Sequence, residues 1–456
     1  MDIIILGCGK VGEALAERLT EENHSVTVID TRPGRIEKIT ENYDVMGIVG
    51  NGSSINVLME AGVDNCDVFI SVTGTDEINL LSCMFAKKAG KCRAIARVRN
   101  PSYNKELEFI QQQMGISTII NPELATAREI YNLLMFPSAI KIEPFANDKV
   151  RLIKFRLQNV SALGGMRLLD ISEKLGVDIL VCCVERGDNV MIPSGNTVLQ
   201  TGDIVSFLAE PVKAREFFEK IGLSTKPVRN SIIVGGGTIG YYLARDLIEN
   251  GINVRIIEEK QERCEELAEL LPEATVLKGD GTDRDLLNSE GLSLTDSFVS
   301  LTGLDEENVL LGLYANKHSK AKVVTKVNRL EFDDILSGLN MDSVVYPKHI
   351  TCDFIMQYVR ALKVNAGNTL KTLYRILADK VEALEFTITK EASYTGKPLS
   401  QLGLKKNQLI ACITRKDKVL IPRGYDEIRV GDSVILVTLE HGLDDFKDAL
   451  LPERKS

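Results

Sequence analysis

The sequence of 456 residues contains no tryptophan, only four histidines and no C-x-x-C pair among its nine cysteines. None of the histidines has the spacing of metal ligands, so a zinc site is not expected. No apolar run approaches the roughly 20 residues that span a bilayer, and the amino terminus lacks a signal-peptide pattern and a myristoylation glycine. These absences predict a cytoplasmic protein whose cysteines are reduced thiols in apolar positions.

The chain also lacks an excess of basic residues, although local basic patches are compatible with its composition. The formal net charge is −9, and proteins that bind nucleic acid need a basic face, so no nucleic-acid partner is expected. The hydrophobic fraction of 44% and the charged fraction of 26% are typical of a soluble globular protein. The chain is too long for one core, and its length predicts about three or four domains.

An internal repeat relates the two halves of the chain. The pattern G-x-G-x-x-G at 7–12 recurs at 235–240, so Gly7 matches Gly235. The glycine-rich segment 50–53 recurs at 279–282, in a register shifted by a single position from that of the fingerprints. In this second register, further matches are Thr73 with Thr302, Asn79 with Asn308, Arg97 with Lys326, and Gly202 with Gly431. The sequence therefore predicts two copies of one unit joined head to tail.

Each copy has two parts with different patterns. In the first copy, short apolar strands are predicted at 3–6, 26–30, 45–49, 68–72 and 94–98, with helical stretches at 11–19, 35–41, 57–61 and 79–89. Strands that alternate with helices of this length form a doubly wound parallel sheet with right-handed crossovers. The fold class predicted for this part, in each copy, is a Rossmann-like α/β domain.

The second part of each copy predicts a small α+β domain. Its apolar segments lie at 150–157, 166–171, 179–185, 189–193 and 203–208, before a helix through Phe217, and they recur at 381–388, 399–402, 408–415, 418–422 and 432–439. The segment 223–228 is predicted to be a short linker between the copies. The four predicted domains span residues 1–135, 140–224, 228–360 and 368–453.

The glycine fingerprint has the chemistry of a phosphate cradle. Each fingerprint follows an apolar strand and opens a predicted helix. Gly7 permits the tight turn, Gly9 lets the backbone approach a pyrophosphate, and Gly12 allows close packing of helix and strand. The first N–H groups of the helix and its positive dipole end then hold the phosphates. The alternative is that the glycines serve packing alone.

An acidic residue ends the second strand of each copy. Asp30 and Glu258 follow the third glycine of their fingerprints, Gly12 and Gly240, at the same spacing along the chain. A carboxylate at this place accepts hydrogen bonds from both ribose hydroxyls and repels a 2′-phosphate. The expected ligands are therefore NAD or NADH, or else ATP or ADP, in preference to NADP.

Further candidates end the later strands of the sheet. Thr73 and Gly74 follow the fourth strand, where open α/β sheets bind ligands, although a simple turn is the alternative. Asn51 lies in the glycine-rich loop after the third strand, near the expected position of an adenine. Arg97 ends the fifth strand, where it meets phosphate, a partner subunit or only solvent.

Catalytic groups are not evident beside this cradle. The sequence has no Tyr-x-x-x-Lys pair, no histidine placed with a carboxylate as a hydride-transfer dyad, and no G-x-x-x-x-G-K-[ST] loop. A site that holds a nucleotide without an acid, base or nucleophile favours binding without turnover. The alternatives left open are an NAD-dependent oxidoreductase of unknown substrate and a free-standing nucleotide or redox sensor.

These motifs together resemble the RCK family, the regulators of potassium conductance. The fingerprint at 7–12, Asp30, the segments 50–53 and 72–79, and Ala96-Arg97-Val98 are similar to an RCK N-terminal domain, and Ile192-Pro193 with Gly202-Asp203 is similar to an RCK C-terminal domain. Two such pairs in one chain resemble the TrkA family. The resemblance covers essentially the whole chain.

The resemblance implies a regulatory function and no enzymatic activity. The resemblance implies assembly as a ring under a membrane potassium channel subunit of the TrkH-like kind. Two like folds in one chain favour pseudo-symmetric assembly, so a homodimer or tetramer is expected. Nucleotide binding changes the shape of the ring and so opens or closes the pore. The implied location is cytoplasmic, peripheral to the inner face of the cell membrane through the channel.

The motifs and the resemblance together define two candidate cofactor-binding sites. The candidates in the first copy are Gly7, Cys8, Gly9, Lys10, Val11, Gly12, Asp30, Asn51, Thr73, Gly74 and Arg97. The candidates in the second copy are Gly235, Gly236, Gly237, Thr238, Ile239, Gly240, Glu258, Asp280, Thr302, Gly303 and Lys326. Lys326 keeps the charge of its counterpart Arg97 but lacks the planar guanidinium, which weakens the second site.

Overall fold

The first fingerprint follows the central strand of a parallel sheet. This sheet and its helices form the first part of the first copy. In the computed structural model they are β1 (Asp2–Leu6), α1 (Lys10–Glu21), β2 (Ser25–Asp30), α2 (Pro33–Asn42), β3 (Met46–Val49), α3 (Ile55–Glu60), β4 (Val68–Ser71), α4 (Asp76–Ala89), β5 (Arg93–Arg97), a 3-10 turn (Pro101–Tyr103), α5 (Leu107–Met114), β6 (Thr118–Ile120) and α6 (Pro122–Met135). The strand order is β3-β2-β1-β4-β5-β6. The central strands read as continuous apolar runs because helices cover both faces of the sheet.

The structure describes residues 1–103, 106–145, 149–157, 163–187, 189–223, 228–328, 339, 341, 343–364, 370–376, 380–416, 418–443 and 445–451. Most of the predicted linker, residues 224–227, lies outside these ranges. None of the described helices is both long enough and apolar enough to cross a membrane.

The second copy builds the same parallel sheet. Its elements are β12 (Asn230–Val234), α9 (Thr238–Glu249), β13 (Asn253–Glu258), α10 (Gln261–Leu270), β14 (Thr275–Lys278), α11 (Arg284–Ser289), a 3-10 turn (Leu292–Leu294), β15 (Ser297–Ser300), α12 (Asp305–His318), β16 (Lys322–Lys326), β17 (Ser343–Val345) and α13 (Pro347–Val364). The order β14-β13-β12-β15-β16-β17 repeats that of the first sheet. In each sheet the order reverses beside the central strand, and the crevice at this switch point is where such sheets bind ligands.

Each parallel sheet is followed in the chain by a five-stranded antiparallel sheet. The first contains β7 (Lys141–Phe145), β8 (Val150–Arg156), α7 (Leu168–Leu175), β9 (Leu180–Arg186), β10 (Asn189–Met191), β11 (Ile204–Ala209) and α8 (Pro211–Lys220). The second contains β18 (Leu370–Ile376), β19 (Val381–Thr387), a 3-10 turn (Leu399–Gln401), β20 (Gln408–Arg415), β21 (Lys418–Leu420), β22 (Ser433–Thr438) and a 3-10 turn (Phe446–Ala449). The strand order of the first sheet is β10-β9-β11-β8-β7. The second sheet, taken from its other edge, has the equivalent order β21-β20-β22-β19-β18. The predicted fold class is confirmed for both copies.

The two parallel-sheet domains belong to one compact unit, and the two antiparallel-sheet domains belong to another. One unit contains Met1–Tyr131 with Arg229–Met356, and the other contains Asn132–Val228 with Gln357–Ser456. Two of the three chain boundaries between the units fall inside α6 and α13, and the third falls between Val228 and Arg229, just before β12. The predicted limits of the four domains stay a prediction, and residues 224, 368–369 and 452–453 at those limits lie outside the described ranges.

Within the first unit, direct contacts join the two parallel-sheet domains. The hydroxyl of Tyr242 on α9 accepts a hydrogen bond from the Asn121 amide at 3.0 Å. The guanidinium of Arg18 on α1 pairs with Asp353 on α13 at 2.5 Å. In the second unit, one apolar cluster takes side chains from both antiparallel sheets, including Cys182 and Cys412.

An equivalent ion pair, with a buried carboxylate and a partly exposed guanidinium, occurs in each antiparallel-sheet domain. Arg186 binds both carboxylate oxygens of Asp203 at 2.8 Å, and Arg415 binds Asp432 in the same way at 2.8 and 2.7 Å. Burial raises the pKa of Asp203, but hydrogen bonds from Arg186 and the Gln200 amide outweigh it and leave the pKa below its usual range. The pair therefore stabilises the charged form of the carboxyl.

We expect Asp203→Asn to lower the free energy of unfolding by about 2 kcal/mol, because the Arg186 guanidinium loses a charged, bidentate partner. The stabilisation should be present above the unfolded carboxyl pKa of about 3.9 and should disappear as the pH falls through the lower folded value. Chemical denaturation between pH 7 and pH 2 measures both effects.

Asp178→Asn is the matched control, since its pair with Arg423 has both side chains about half exposed, at 55% and 53%. Such a surface pair contributes about 0–1 kcal/mol. Equal losses of stability in the two variants would contradict a special role for the pair of Arg186 and Asp203.

Candidate nucleotide-binding sites

The turn after β1 depends on glycine at two positions. Gly7 has a φ of +103°, and a Cβ there would lie 2.9 Å from the amide nitrogen of Thr73. A Cβ at Gly12 would overlap the carbonyl oxygen of Gly7, because α1 passes directly against the turn. Gly235 and Gly240 have the same constraints in the second copy. The outer two glycines of each fingerprint are therefore required by the fold itself.

The middle glycine of each fingerprint has no such structural role. Gly9 is the N-cap residue of α1, has extended backbone, and offers no side chain to cap the helix. A Cβ at Gly9 or at Gly237 would meet no atom within 4 Å. The open space therefore lies in front of a helix N-terminus that has no side-chain cap, which suits a phosphate group.

The acid at the end of β2 holds the glycine turn in place. Oδ2 of Asp30 accepts a hydrogen bond from the Cys8 amide at 2.8 Å, and Oδ1 accepts one from the Arg32 amide at 2.9 Å. The Arg35 guanidinium also contacts Oδ2, at 3.3 Å. Since a carboxylate has about four acceptor positions, one on Oδ1 remains for a ribose hydroxyl, and the exposed Arg35 can give up another.

Glu258, the acid of the second copy, accepts equivalent backbone hydrogen bonds, and no arginine is bonded to it among the described contacts. Glu258 accepts hydrogen bonds from the Gly236 amide at 2.8 Å and from the Lys260 amide at 3.0 Å. The nearby Arg263 donates instead to the carbonyl of Gly236, at 2.7 Å. Among the described contacts, each carboxylate oxygen of Glu258 therefore keeps an acceptor position.

A buried asparagine that the sequence analysis did not select joins the ends of β4 and β5. The Asn79 carbonyl oxygen accepts hydrogen bonds from the Thr73 amide at 2.8 Å and the Thr73 hydroxyl at 2.7 Å. Its amide nitrogen donates to the carbonyl of Arg97 at 2.8 Å. Asn308 makes the equivalent backbone bonds to Thr302 and Lys326. The recurrence of this asparagine in both copies was the signal that could have identified it.

The predicted edge residues lie together, but not all are free to bind. Thr73 and Thr302 use their amides to bind the asparagines, while no atom lies within 4 Å of a Cβ built at Gly74 or Gly303. Asn51 and Asp280 are exposed in the loops after β3 and β14, where each accepts hydrogen bonds from the residue two places on. These two side chains stabilise their own turns.

Two guanidinium groups lie close together at the edge of the first copy. The side chain of Arg97 is half-buried, and its Nε makes no hydrogen bond within the described part of the chain. Burial lowers the pKa of Arg97, and the charge of Arg99 lowers it further. Arg99 itself donates to the carbonyl of Gly74 and lies 3.7 Å from the Asp76 carboxylate. The Glu123 and Asp76 carboxylates act in the opposite direction on the pKa of Arg97, so this edge combines two cations with two acids.

The second copy has less positive charge at the same edge. Lys326 donates to the carbonyl of Leu301 at 3.1 Å, and burial lowers its pKa. Asn328 takes the position of Arg99 and donates to both oxygens of Asp305, at 3.0 and 3.1 Å. The first copy therefore has two cations at this edge, Arg97 and Arg99, where the second copy has Lys326 alone.

The groups that could react with a ligand at this edge are a thiol, that of Cys8, and any bound metal ion. Burial, reinforced by the charge of Asp30, raises the pKa of the Cys8 thiol to about 12, so the thiol beside the cradle stays protonated. Among the described residues, no group of three or more His, Cys, Asp or Glu side chains could hold a metal ion. A protonated Cys8 thiol is not a ready nucleophile for a ligand in the crevice.

Comparisons with known proteins agree with this architecture. The TrkA-N domain family matches residues 3–122 and 231–347, and the TrkA-C domain family matches residues 152–222 and 383–451. "Trk system potassium uptake protein TrkA homolog 1" of Methanosarcina mazei is 33% identical over 448 residues, covering 96% of this chain and 97% of that protein. The chain belongs to the TrkA family.

Other TrkA family members and a solved structure extend the comparison. "Trk system potassium uptake protein TrkA" of Haemophilus influenzae is 29% identical, covering 96% of this chain and 95% of that protein. The structure "GsuK channel bound to NAD" superposes with a TM-score of 0.63 at 17% identity, covering 96% of this chain and 77% of that one. At this identity the likeness shows the fold alone.

We expect Gly12→Ala to destabilise the protein by about 1–3 kcal/mol, because the new methyl group overlaps the Gly7 carbonyl and forces α1 away from the turn. Thermal unfolding measures the change. Gly34→Ala is the control, since Gly34 lies in α2 with no atom within 4 Å of the added Cβ. An equal loss in the control would show that the close approach at Gly12 is not the cause.

Proposed function

We propose that this TrkA family member is a nucleotide-binding regulatory subunit of a membrane potassium uptake channel of the Trk type. The observation that carries the proposal is the pair of glycine cradles, each with an uncapped helix N-terminus and an acid but no reactive group beside it. Relatives that are 29% to 33% identical over nearly the whole chain are named as potassium uptake proteins. Binding without turnover fits a subunit that senses a nucleotide and regulates transport.

The ligand we propose is NAD or NADH, with ADP or ATP as alternatives. The acids at the ends of β2 and β13 keep acceptor positions for ribose hydroxyls and would repel a 2′-phosphate. GsuK, which shares the fold, has been solved as a channel bound to NAD and as "GsuK bound to ADP". The proposed contacts are the fingerprint amides, Asp30 and Arg97 in the first copy, and the equivalent groups in the second.

Regulation requires that the ligand binds two arrangements of the protein with different affinity. Coupling free energies of about 1–3 kcal/mol are typical for such systems. The two nucleotide cradles belong to one compact unit, and α6 and α13 each continue from it into the other unit. We propose that these helices transmit the change, in a homo-oligomer bound to the cytoplasmic side of the channel.

We expect Gly9→Ala to reduce nucleotide affinity in the first site at least tenfold without changing the unfolding temperature. The added methyl group meets no protein atom but occupies the space that a pyrophosphate needs. Calorimetric titration with NADH, NAD, ATP and ADP measures the affinity, with Gly237→Ala as the matched variant of the second site.

The same proteins test the regulatory function. Potassium flux through the channel that co-purifies with the chain should respond to nucleotide with the wild type and lose this response when both glycines are replaced. Unchanged binding in both variants would contradict the cradle. Sustained, stoichiometric oxidation of NADH with a carbonyl compound would instead favour an oxidoreductase.

We further propose that the first site prefers the ligand with more phosphate charge, because it has Arg99 where the second site has Asn328. In a Gly237→Ala background, Arg99→Asn should weaken ATP binding by about 1.5–3 kcal/mol and NAD binding by less. Asn328→Arg in a Gly9→Ala background should have the opposite effect. Equal changes for ATP and NAD would refute the preference.

A further inference from the structure

The loop after β3 contains one of the two Asn-Gly sequences in the chain, Asn51-Gly52. An asparagine before a glycine can form a cyclic imide, because glycine has no side chain to hinder attack by its amide nitrogen on the asparagine Cγ. Asn51 is exposed, so water can reach its side chain. The other Asn-Gly sequence, Asn250-Gly251, ends α9 in the second copy. The chain therefore contains two examples of the same dipeptide in different surroundings.

Two donors polarise the side-chain carbonyl of Asn51. Its Oδ1 accepts hydrogen bonds from the Ser53 amide at 3.0 Å and from the Ser53 hydroxyl at 2.9 Å. The first of these bonds closes a small ring of atoms that contains both the Cγ of Asn51 and the amide nitrogen of Gly52. Donors held at a carbonyl oxygen stabilise the negative charge that develops on it when a nucleophile adds to the carbon. The loop therefore favours addition at the Asn51 Cγ.

The nitrogen that would attack is not held by another contact. Within the described part of the chain, the Gly52 amide donates no hydrogen bond, whereas the Ser54 amide donates to the carbonyl of Asn51 at 2.9 Å. The glycine itself is required by the fold, because a Cβ at Gly52 would overlap the side chain of Leu6 on β1. The packing of the loop against β1 therefore keeps an unhindered amide next to Asn51.

We propose that Asn51 is a site of spontaneous deamidation through a cyclic imide formed with Gly52. The Gly52 amide gives its proton to water or hydroxide, and its nitrogen forms a bond to the Asn51 Cγ. The bond between Cγ and Nδ2 then breaks, and the nitrogen takes a proton from solvent and leaves as ammonia. Water opens the imide at one of its two carbonyl carbons, which gives aspartate or isoaspartate. In total, one asparagine and one water give one acidic residue and one ammonia.

The Asn250-Gly251 sequence is held in a way that opposes the same reaction. The Gly251 amide donates to the carbonyl of Ile248 at 2.8 Å. The side-chain nitrogen of Asn250 donates to the carbonyl of Asp246, also at 2.8 Å. Both the attacking nitrogen and the leaving nitrogen are therefore bound to the last turn of α9, and Asn250 should stay intact in the folded protein.

The second copy already has an acid at the equivalent position. Asp280 takes the place of Asn51 in the repeat, and its Oδ1 accepts hydrogen bonds from the Thr282 amide at 2.8 Å and the Thr282 hydroxyl at 2.7 Å. These bonds lower the pKa of the Asp280 carboxyl. A carboxylate therefore fits this loop with the hydrogen bonds kept, and deamidation to aspartate gives the first copy the charge of the second. The reaction does not depend on the proposed nucleotide binding.

Incubation of the full-length protein for several days at pH 6 and at pH 9, followed by digestion in acid and peptide mass spectrometry, tests the site. We expect the Asn51 peptide to show the mass change of an amide converted to an acid. Conversion should be faster at pH 9, because the Gly52 amide must lose its proton. Asn250 in the same samples should convert at least about tenfold more slowly. A sample digested without incubation corrects for conversion during digestion.

Two variants of Ser53 test the part played by the donors. Ser53→Ala removes the hydroxyl donor and should slow the conversion of Asn51 by about tenfold. Ser53→Thr keeps a hydroxyl, as Thr282 does in the second copy, and should react like the wild type. The proposal is overturned if Asn51 stays intact at pH 9, if Asn51 and Asn250 convert at equal rates in the folded protein, or if Ser53→Ala reacts faster than the wild type.

Discussion

A single hydrogen bond, from the Cys8 amide to the Asp30 carboxylate at 2.8 Å, joins the glycine turn to the end of the neighbouring strand. The Gly236 amide and Glu258 repeat this bond at the same length. It fixes the turn, and therefore the direction in which the following helix points its first amides. The acid that faces the ribose in our proposal is thus also a structural part of the phosphate cradle, and its two tasks cannot be separated by substitution alone.

The sequence was sufficient for the fold class and the family, both of which are confirmed. The strands in the centre of each parallel sheet are buried on both faces, so their apolar runs stand out, and the fingerprints mark where helices follow them. The sixth strands were not predicted, because β6 and β17 have three residues each, too few for a recognisable period. The sequence also did not predict that the two parallel-sheet domains form one compact unit. Contacts such as Tyr242 with Asn121 join residues far apart in the chain, and no local pattern identifies them.

The candidate sites were predicted in part. The glycines and acids follow from local patterns, and the structure brings all the candidates of each copy to one edge of its sheet. Asn79 and Arg99 were not selected, because their importance depends on backbone atoms of other strands that the sequence does not identify. Whether the candidates bind nucleotide stays a prediction.

The repeat preserves the framework and varies the chemistry around it. Both copies keep the outer glycines, the acid and the clamping asparagine, whose loss would leave buried backbone groups without partners. Arg99 is replaced by Asn328 in the second copy. Duplicated domains in one chain can diverge in this way, because the fold restrains the framework more strongly than the side chains around the site.

Each helix that begins at a glycine cradle also touches the other copy. Tyr242, near the start of α9, contacts Asn121 just after β6 at 3.0 Å. On α1, the carbonyl of Val11 lies 3.8 Å from the sulfur of Cys352 on α13. A helix moves as a stiff body, because bending it sharply would disrupt its ladder of backbone hydrogen bonds. A shift of either helix would therefore change its contacts with the other copy.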